Sequence, residues 1–278
     1  MSSILSRHRG MPAQDGAGVK LTRVINQPSL RYQDPFLMLD EFRSDNPNDY
    51  IAGFPPHPHR GFVTLTYMLA GCMEHKDSVG NTGLVEAGGA QWMKAARGII
   101  HAEMPKQEDG LMWGFQLWIN LPAKEKMSPA AWADHPADKI PEVDVQGVTV
   151  RVVAGEFKHG EQTASGPIQQ AEQQFQMLDL RFAADTAIEL PAGQQQTRLA
   201  YVYQGTVTLN GETVERGELV RLDNNGVLQL QAASEAGMLV LAGQPIGEPV
   251  AQYGPFVMNS QQEIEQAIRD YQSGKLTA

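Results

Sequence analysis

Cys72 is the only cysteine in 278 residues. That excludes an intrachain disulfide and a cysteine-built zinc module, and it agrees with a reducing compartment. No window approaches the roughly 18 uninterrupted apolar residues of a membrane span. The opening MSSILSRHRG has a basic flank but no apolar h-region or cleavage site, so it reads as a short arm and the expected address is cytoplasmic. Basic residues are outnumbered, 22 against 32 acidic, for a net charge of −10, and no basic run exceeds a few residues. Direct binding to nucleic acid is therefore not expected, and the acidic balance favours a protein partner over a polyphosphate. Histidine is scarce too, with seven in the chain.

What is present is strand-like. FVTLTYMLAG, GFQLWINL, VTVRVVAG, QMLDLRFAAD, AIELPAG, AYVYQGTVTLNG and MLVLAGQP are short, β-branched or aromatic, and punctuated by glycine or proline. The length suits two medium domains, each with its own core. A weak repeat supports two related β units: YMLAG (67–71) and YVYQG (201–205) are each followed by a turn and then by EAGG or ERGE. Between them, LPAKEKMSPAAWADHPADKIPEV is rich in proline, alanine and charge and predicts a surface connection, with the boundary near 122–142. Two helical exceptions are expected. One is a turn at MSPAAWADH, with Ser128 and Pro129 as cap and first residue. The other is a C-terminal helix whose Ser260 and Glu263 have capping-box spacing and whose Ile264, Ile268 and Tyr271 share a face.

Two of the seven histidines stand in GFPPHPHRGF. Side chains at i and i+2 of an extended segment point the same way, so His57 and His59 can present two imidazoles to one point. His101 and Glu103 repeat that spacing in ARGIIHAEMP. A lone HxH is weak evidence, but two such pairs in so histidine-poor a chain favour a metal site of three neutral nitrogens and one carboxylate. His8, His135 and His159 lie in an arm, a proline-rich connection and a polar turn, and His75 in CMEHKDSVGNTG has a charged, turn-like setting; all four read as surface residues. Cys72 reads as a small packed side chain.

PFLMLDEF, GFPPHPHRGFVTLTYMLAG, GGAQWMKAARGIIHAEMP and GEPVAQYGPFVMN resemble the pirin family of the cupin superfamily, over nearly the whole chain. The resemblance implies an all-β bicupin, two tandem jelly-roll-like antiparallel barrels with a short C-terminal helix. It divides the chain into an N-terminal metal barrel over 1–125, a connection over 126–142, and a metal-free C-terminal barrel with the helix over 143–278. It also implies that His57, His59, His101 and Glu103 bind one divalent ion. Fe(II) is the family's usual metal, and Mn, Co, Ni, Cu or Zn suit the same donors.

Two features qualify the match. Val63 replaces a glutamate common in HPHRGFE, which implies an altered pocket polarity. In the second repeat the region corresponding to HPH reads PAGQQQT, where Gln194 and Gln196 are poor replacements for imidazole, and no histidine follows His159.

An open six-coordinate ion leaves two positions for substrate or O2, and Phe54, Met68, Trp92 and Met93 are candidate wall residues, or plain core. Three readings follow, the first two implied by the resemblance to pirins. The first is a quercetin 2,3-dioxygenase-type enzyme acting on a flavonol-like aromatic substrate, in which Glu103 is both ligand and base, taking the 3-hydroxyl proton before O2 opens the ring with loss of carbon monoxide. The second is an iron-dependent redox regulator of a transcription factor or metabolic enzyme, and the third a metal-free binding bicupin. Arg60 and Arg97, beside the two pairs, either attract an anion or brace the barrel rim.

Overall fold

The computed structural model describes residues 1–169, 174–191 and 197–277. The Gln194 and Gln196 positions lie outside the described residues. Nearly all regular structure is strand. In chain order the first strands are β1 (Ile4–Arg9), β2 (Met11–Asp15), β3 (Val19–Ile25), β4 (Phe36–Ser44), β5 (Phe54–His59), β6 (Phe62–Ala70), β7 (Cys72–Asp77), β8 (Thr82–Glu86), β9 (Ala90–Lys94), β10 (Ile99–Pro105), β11 (Met112–Asn120) and β12 (Ala131–His135). They are followed by β13 (Glu142–Val145), β14 (Val148–Ala154), β15 (Glu156–His159), β16 (Gln162–Ser165), β17 (Gln176–Phe182), β18 (Thr186–Leu190), β19 (Thr197–Gln204), β20 (Thr206–Leu209), β21 (Glu212–Glu215), β22 (Glu218–Leu222), β23 (Leu228–Ala232), β24 (Ala236–Gly243), β25 (Ala251–Tyr253) and β26 (Phe256–Met258). The helices are α1 (Ala123–Lys126) and α2 (Gln261–Gln272), and no helix among the described residues is long and apolar enough to cross a membrane.

Two compact units result, each built on a seven-stranded and a four-stranded antiparallel sheet. In the first barrel the sheet orders are β12-β9-β6-β11-β4-β3-β2 and β5-β10-β7-β8; in the second they are β1-β22-β19-β24-β17-β14-β13 and β18-β23-β20-β21. The two sets match strand for strand, so the faint YMLAG and YVYQG repeat marks β6 and β19, which occupy the same place in their sheets. The fold is a bicupin.

The units do not follow the expected division into 1–125, 126–142 and 143–278. The first barrel comprises Met11–Asn26, Pro35–Ala137 and Ile246–Ala278, and the second Met1–Gly10, Gln27–Asp34 and Asp138–Pro245. The chain's two ends are exchanged for a pairing reason. Strand β1 hydrogen-bonds to β22 and fills the edge place that β12 fills in the first barrel. The segment expected to be a surface connection therefore carries an edge strand, and the helix expected at Ser128 is displaced: α1 ends at Lys126, and residues 131–135 pair with β9.

The C-terminal helix forms as its sequence predicts, with the Ser260 hydroxyl accepting from the Glu263 backbone N–H. It packs on the first barrel. Ile264, Ala267 and Leu276 cluster with Phe256 and Met258, against Ile100 of β10. The neighbouring His101 and Glu103 project to the other face of that strand, so α2 backs the strand that carries two of the candidate ligands. Arg60, which follows β5, is buried at 4% exposure and meets Asp270 of α2 at 2.6 Å, while its Nε donates to the Arg97 carbonyl. Of the two readings of Arg60, bracing is the one seen. Gly61 adopts φ 92°, and a Cβ there would overlap the Val257 carbonyl oxygen.

Lys126 completes this clamp. Its buried ammonium donates to Gly61 O, Asn120 Oδ1 and Val257 O at 2.7, 2.6 and 3.0 Å. Three donors meet three acceptors, none of them charged. Lys126→Met removes the one donor that the three acceptors share and is expected to lower stability by about 3 kcal/mol, read as a lower urea midpoint with an unchanged m-value; an unaltered midpoint would contradict the clamp.

Candidate metal centre

Strand β5 is an edge strand whose one sheet partner among the described residues is β10. Its register places His57 opposite His101 and His59 opposite Ile99, with an irregularity before Glu103, which faces Phe54. Pro55 and Pro56 sit in that irregularity, where prolines fit because they have no N–H to give a ladder. Alternation along β5 then turns His57 and His59 to one side, and the three imidazole centroids of His57, His59 and His101 lie 4.4–4.8 Å apart. One nitrogen from each falls within 4.8 Å of the others.

The donor atoms suit a metal. His59 and His101 are buried at 2% and 1% exposure, and both ring nitrogens of His59 and Nε2 of His101 are buried without a hydrogen-bond partner among the described residues. Orphaned polar nitrogens of this kind are costly unless a ligand takes their lone pairs. The Pro255 carbonyl lies near enough to His59 to favour its charged form slightly, but not in hydrogen-bonding geometry, and burial dominates. Desolvation, with neighbouring imidazoles adding to it, pushes both His59 and His101 well below the ordinary 6.5, so both are neutral and able to coordinate at pH 7. His57 is half-buried and leaves an open side to the cluster. Its Nδ1 donates to the Pro55 carbonyl at 2.9 Å, which directs Nε2 inward.

Glu103 is brought close on a different side. It groups with His101 and with His75 within 4.8 Å, and its carboxylate is held by Thr66 Oγ1 at 3.0 Å and by Gln116 Nε2 at 3.2 Å. Thr66 and Gln116 are cross-strand neighbours on β6 and β11. The surface reading of His75 is overturned: it is buried at 1% exposure, with Nδ1 3.2 Å from Nδ1 of His101 and its ring stacked on Trp132. Its charged neighbours Glu74 and Lys76 point outward and pair with each other at 2.9 Å, while Met73 and His75 point in.

The expected effect of Val63 on the pocket is also corrected. Thr64 and Thr66 face Trp118 and Gln116 on the site side, whereas Val63 is paired with Ile119 and Lys94 on the opposite face of β6. There Lys94 takes Glu125 as its partner at 2.6 Å. Of the suggested wall residues, Met68 and Met93 lie on the site side and Trp92 on the far face.

In the second barrel the strand pair β18–β23, which stands where β5–β10 stands in the first, turns aliphatic side chains inward. Ile188 and Leu190 of β18 face Leu230 and Leu228 of β23, all buried in one continuous apolar cluster.

A model of the pirin family matches residues 18–119, and one of the pirin C-terminal cupin domain matches residues 177–277. The chain belongs to the pirin family. It is 51% identical to a putative quercetin 2,3-dioxygenase of Pseudomonas aeruginosa, over 98% of this chain and 97% of the relative. It is 36% identical to the pirin of Homo sapiens, over 98% and 92% of the two chains. A crystal structure of quercetin 2,3-dioxygenase from Acinetobacter baumannii aligns with a TM-score of 0.91 at 32% identity, covering 100% of this chain and 99% of that one. These matches extend over both barrels, not only the one with the histidine cluster.

A pH dependence follows from the buried imidazoles. The folded chain keeps His59 and His101 neutral where an unfolded histidine, near 6.5, takes a proton, so the unfolded state binds more protons below that pH and stability falls with it. Chelator-treated protein is expected to lose denaturation midpoint between pH 6.5 and about pH 5; the double variant His59→Leu, His101→Leu should show a flatter profile there, and parallel profiles would count against neutral burial.

Proposed function

We propose that this chain is a mononuclear metal-dependent dioxygenase that opens flavonols of the quercetin type with O2, and that His57, His59, His101 and Glu103 hold its ion. The observation that carries the reading is the set of orphaned, neutral, inward-facing imidazole nitrogens with one open side, on a chain whose relatives include proteins named for this activity. A divalent ion there, Fe(II) in our reading, would supply Lewis-acid polarisation of the flavonol 3-hydroxyl and electron transfer with O2. The half-buried Cys72 suits a reducing compartment, and we place the reaction in the cytoplasm.

The chain's own residues prepare the proton transfer. Glu103 accepts the 3-hydroxyl proton, and Thr66 and Gln116 are arranged to accommodate the protonated carboxyl. Thr66 Oγ1 lies 3.0 Å from Glu103 Oε1 and 2.5 Å from Gln116 Oε1, yet a hydroxyl has one hydrogen to give. With Glu103 ionised, Thr66 donates to Glu103. With Glu103 protonated at Oε1, Glu103 donates to Thr66, Thr66 donates to Gln116, and Gln116 Nε2 donates back to Glu103 Oε2 at 3.2 Å. Each group then gives and receives one hydrogen bond in a closed ring, so a half-turn of one hydroxyl accommodates the proton.

Anaerobic reconstitution with Fe(II), followed by paired measurement of flavonol loss and carbon monoxide release, tests the function. Turnover is expected in wild type and its loss in Glu103→Gln; full iron loading without turnover would refute the dioxygenase and turn attention to redox-dependent capture of a protein partner. Thr66→Val is expected to slow flavonol turnover by about 10²-fold at unchanged metal content, within the usual range for a disturbed general base. An undiminished rate would show that the hydroxyl takes no part.

A further inference from the structure

His57 and His101 differ in what holds the nitrogen that faces away from the cluster. For His57 it is a backbone carbonyl, which can only accept, so Nδ1 carries the hydrogen. For His101 it is another histidine. His101 Nδ1 and His75 Nδ1 are 3.2 Å apart, and two facing lone pairs at that distance repel, so a hydrogen lies between them. If His101 presents Nε2 to an ion as a lone pair, its hydrogen is on Nδ1, His75 Nδ1 is the acceptor, and His75 keeps its own hydrogen at Nε2.

The surroundings hold His75 in place for that task. Its centroid is 5.4 Å from that of Trp132, with planes 24° apart. Its cross-strand neighbour is Gly83, where a Cβ would collide with Asp134 and Trp132, so the missing side chain is what lets β12 lie over the imidazole. His75 also stands opposite Glu103 in the β7–β10 register, which puts it on the same face as the proposed ligands.

We propose that His75 is a positioning residue: it accepts the Nδ1–H of His101 and so fixes the tautomer and ring orientation that present His101 Nε2 to the metal. The proposal rests on the reading of His57, His59, His101 and Glu103 as a metal site. Outer partners of this kind typically change metal affinity by about 10–100-fold. Because His75 can also donate, the pair has a freedom that the Pro55 carbonyl denies to His57.

The test uses the full chain with ¹⁵N-labelled histidine, loaded with Zn(II) so that ring nitrogens can be read by long-range ¹H–¹⁵N correlation. Wild type is expected to bind one zinc, with His101 coordinated through Nε2, protonated at Nδ1 and slow to exchange that hydrogen, and with His75 protonated at Nε2. His75→Phe keeps the stack on Trp132 but offers no acceptor; it should bind zinc about 10–100-fold more weakly and exchange the His101 hydrogen faster. His75→Gln, whose carbonyl oxygen can accept, should recover part of both. Unchanged affinity and exchange in His75→Phe would overturn the positioning role and leave the metal site standing. Coordination of His101 through Nδ1, or a second zinc held by His75, His101 and Glu103, would overturn it as well. Failure of wild type to hold zinc at all would remove the site itself, and should His75→Phe not fold, the wild-type tautomers alone decide.

Discussion

Antiparallel pairing between β5 and β10 sets His57 directly opposite His101, and strand alternation turns His59 to the same side. A slip of one residue would turn the imidazoles to the face that α2 covers and bring Pro56 and Pro58 into the barrel. The register is therefore guarded on both flanks. The prolines leave β5 unable to pair further along its edge, and the turn that follows is clamped by Arg60, Gly61 and Lys126 to the C-terminal segment. Burial then completes what the register begins, because imidazoles withdrawn from water hold their lone pairs at neutral pH.

The two barrels share strand order but not lining. Where the first turns His57 and His101 towards each other, the second turns Ile188 and Leu230, and the cluster around them is apolar throughout. Apolar side chains at such positions stabilise a barrel without further partners, whereas unpaired imidazoles weaken it until something binds them. One wiring thus supports two different uses of an interior.

Much of this was legible in the residues. The two i, i+2 pairs located the histidine cluster, the capping spacing located α2, and the faint repeat marked two strands that occupy equivalent places. What escaped has physical causes. His75 was masked by Glu74 and Lys76, which make its neighbourhood look like a polar turn; the alternation of Met73 and His75 with those charges was the signal that it lies in a half-buried strand. Val63 could not be placed by counting from His59, because the tight turn at Gly61 separates two strands and resets which face each position takes. Ser128 and Pro129 resemble a helix start, but the open edge of β9 recruits the following residues. Thr66 and Gln116 have no local signature at all, since their meeting depends on a pairing between strands fifty residues apart.

The exchange of chain ends bears on how the protein is made. Arg60 leaves the ribosome 210 residues ahead of Asp270, the carboxylate that its guanidinium requires. During synthesis the histidine-bearing barrel thus waits, with a buried-cation site lacking its counter-charge and a hydrophobic back to β10 still bare, until α2 emerges. The second unit, all of whose strands precede α2 in the chain, has every strand it needs before that moment. Assembly order would then run against gene order, with the chemically elaborate half closing last.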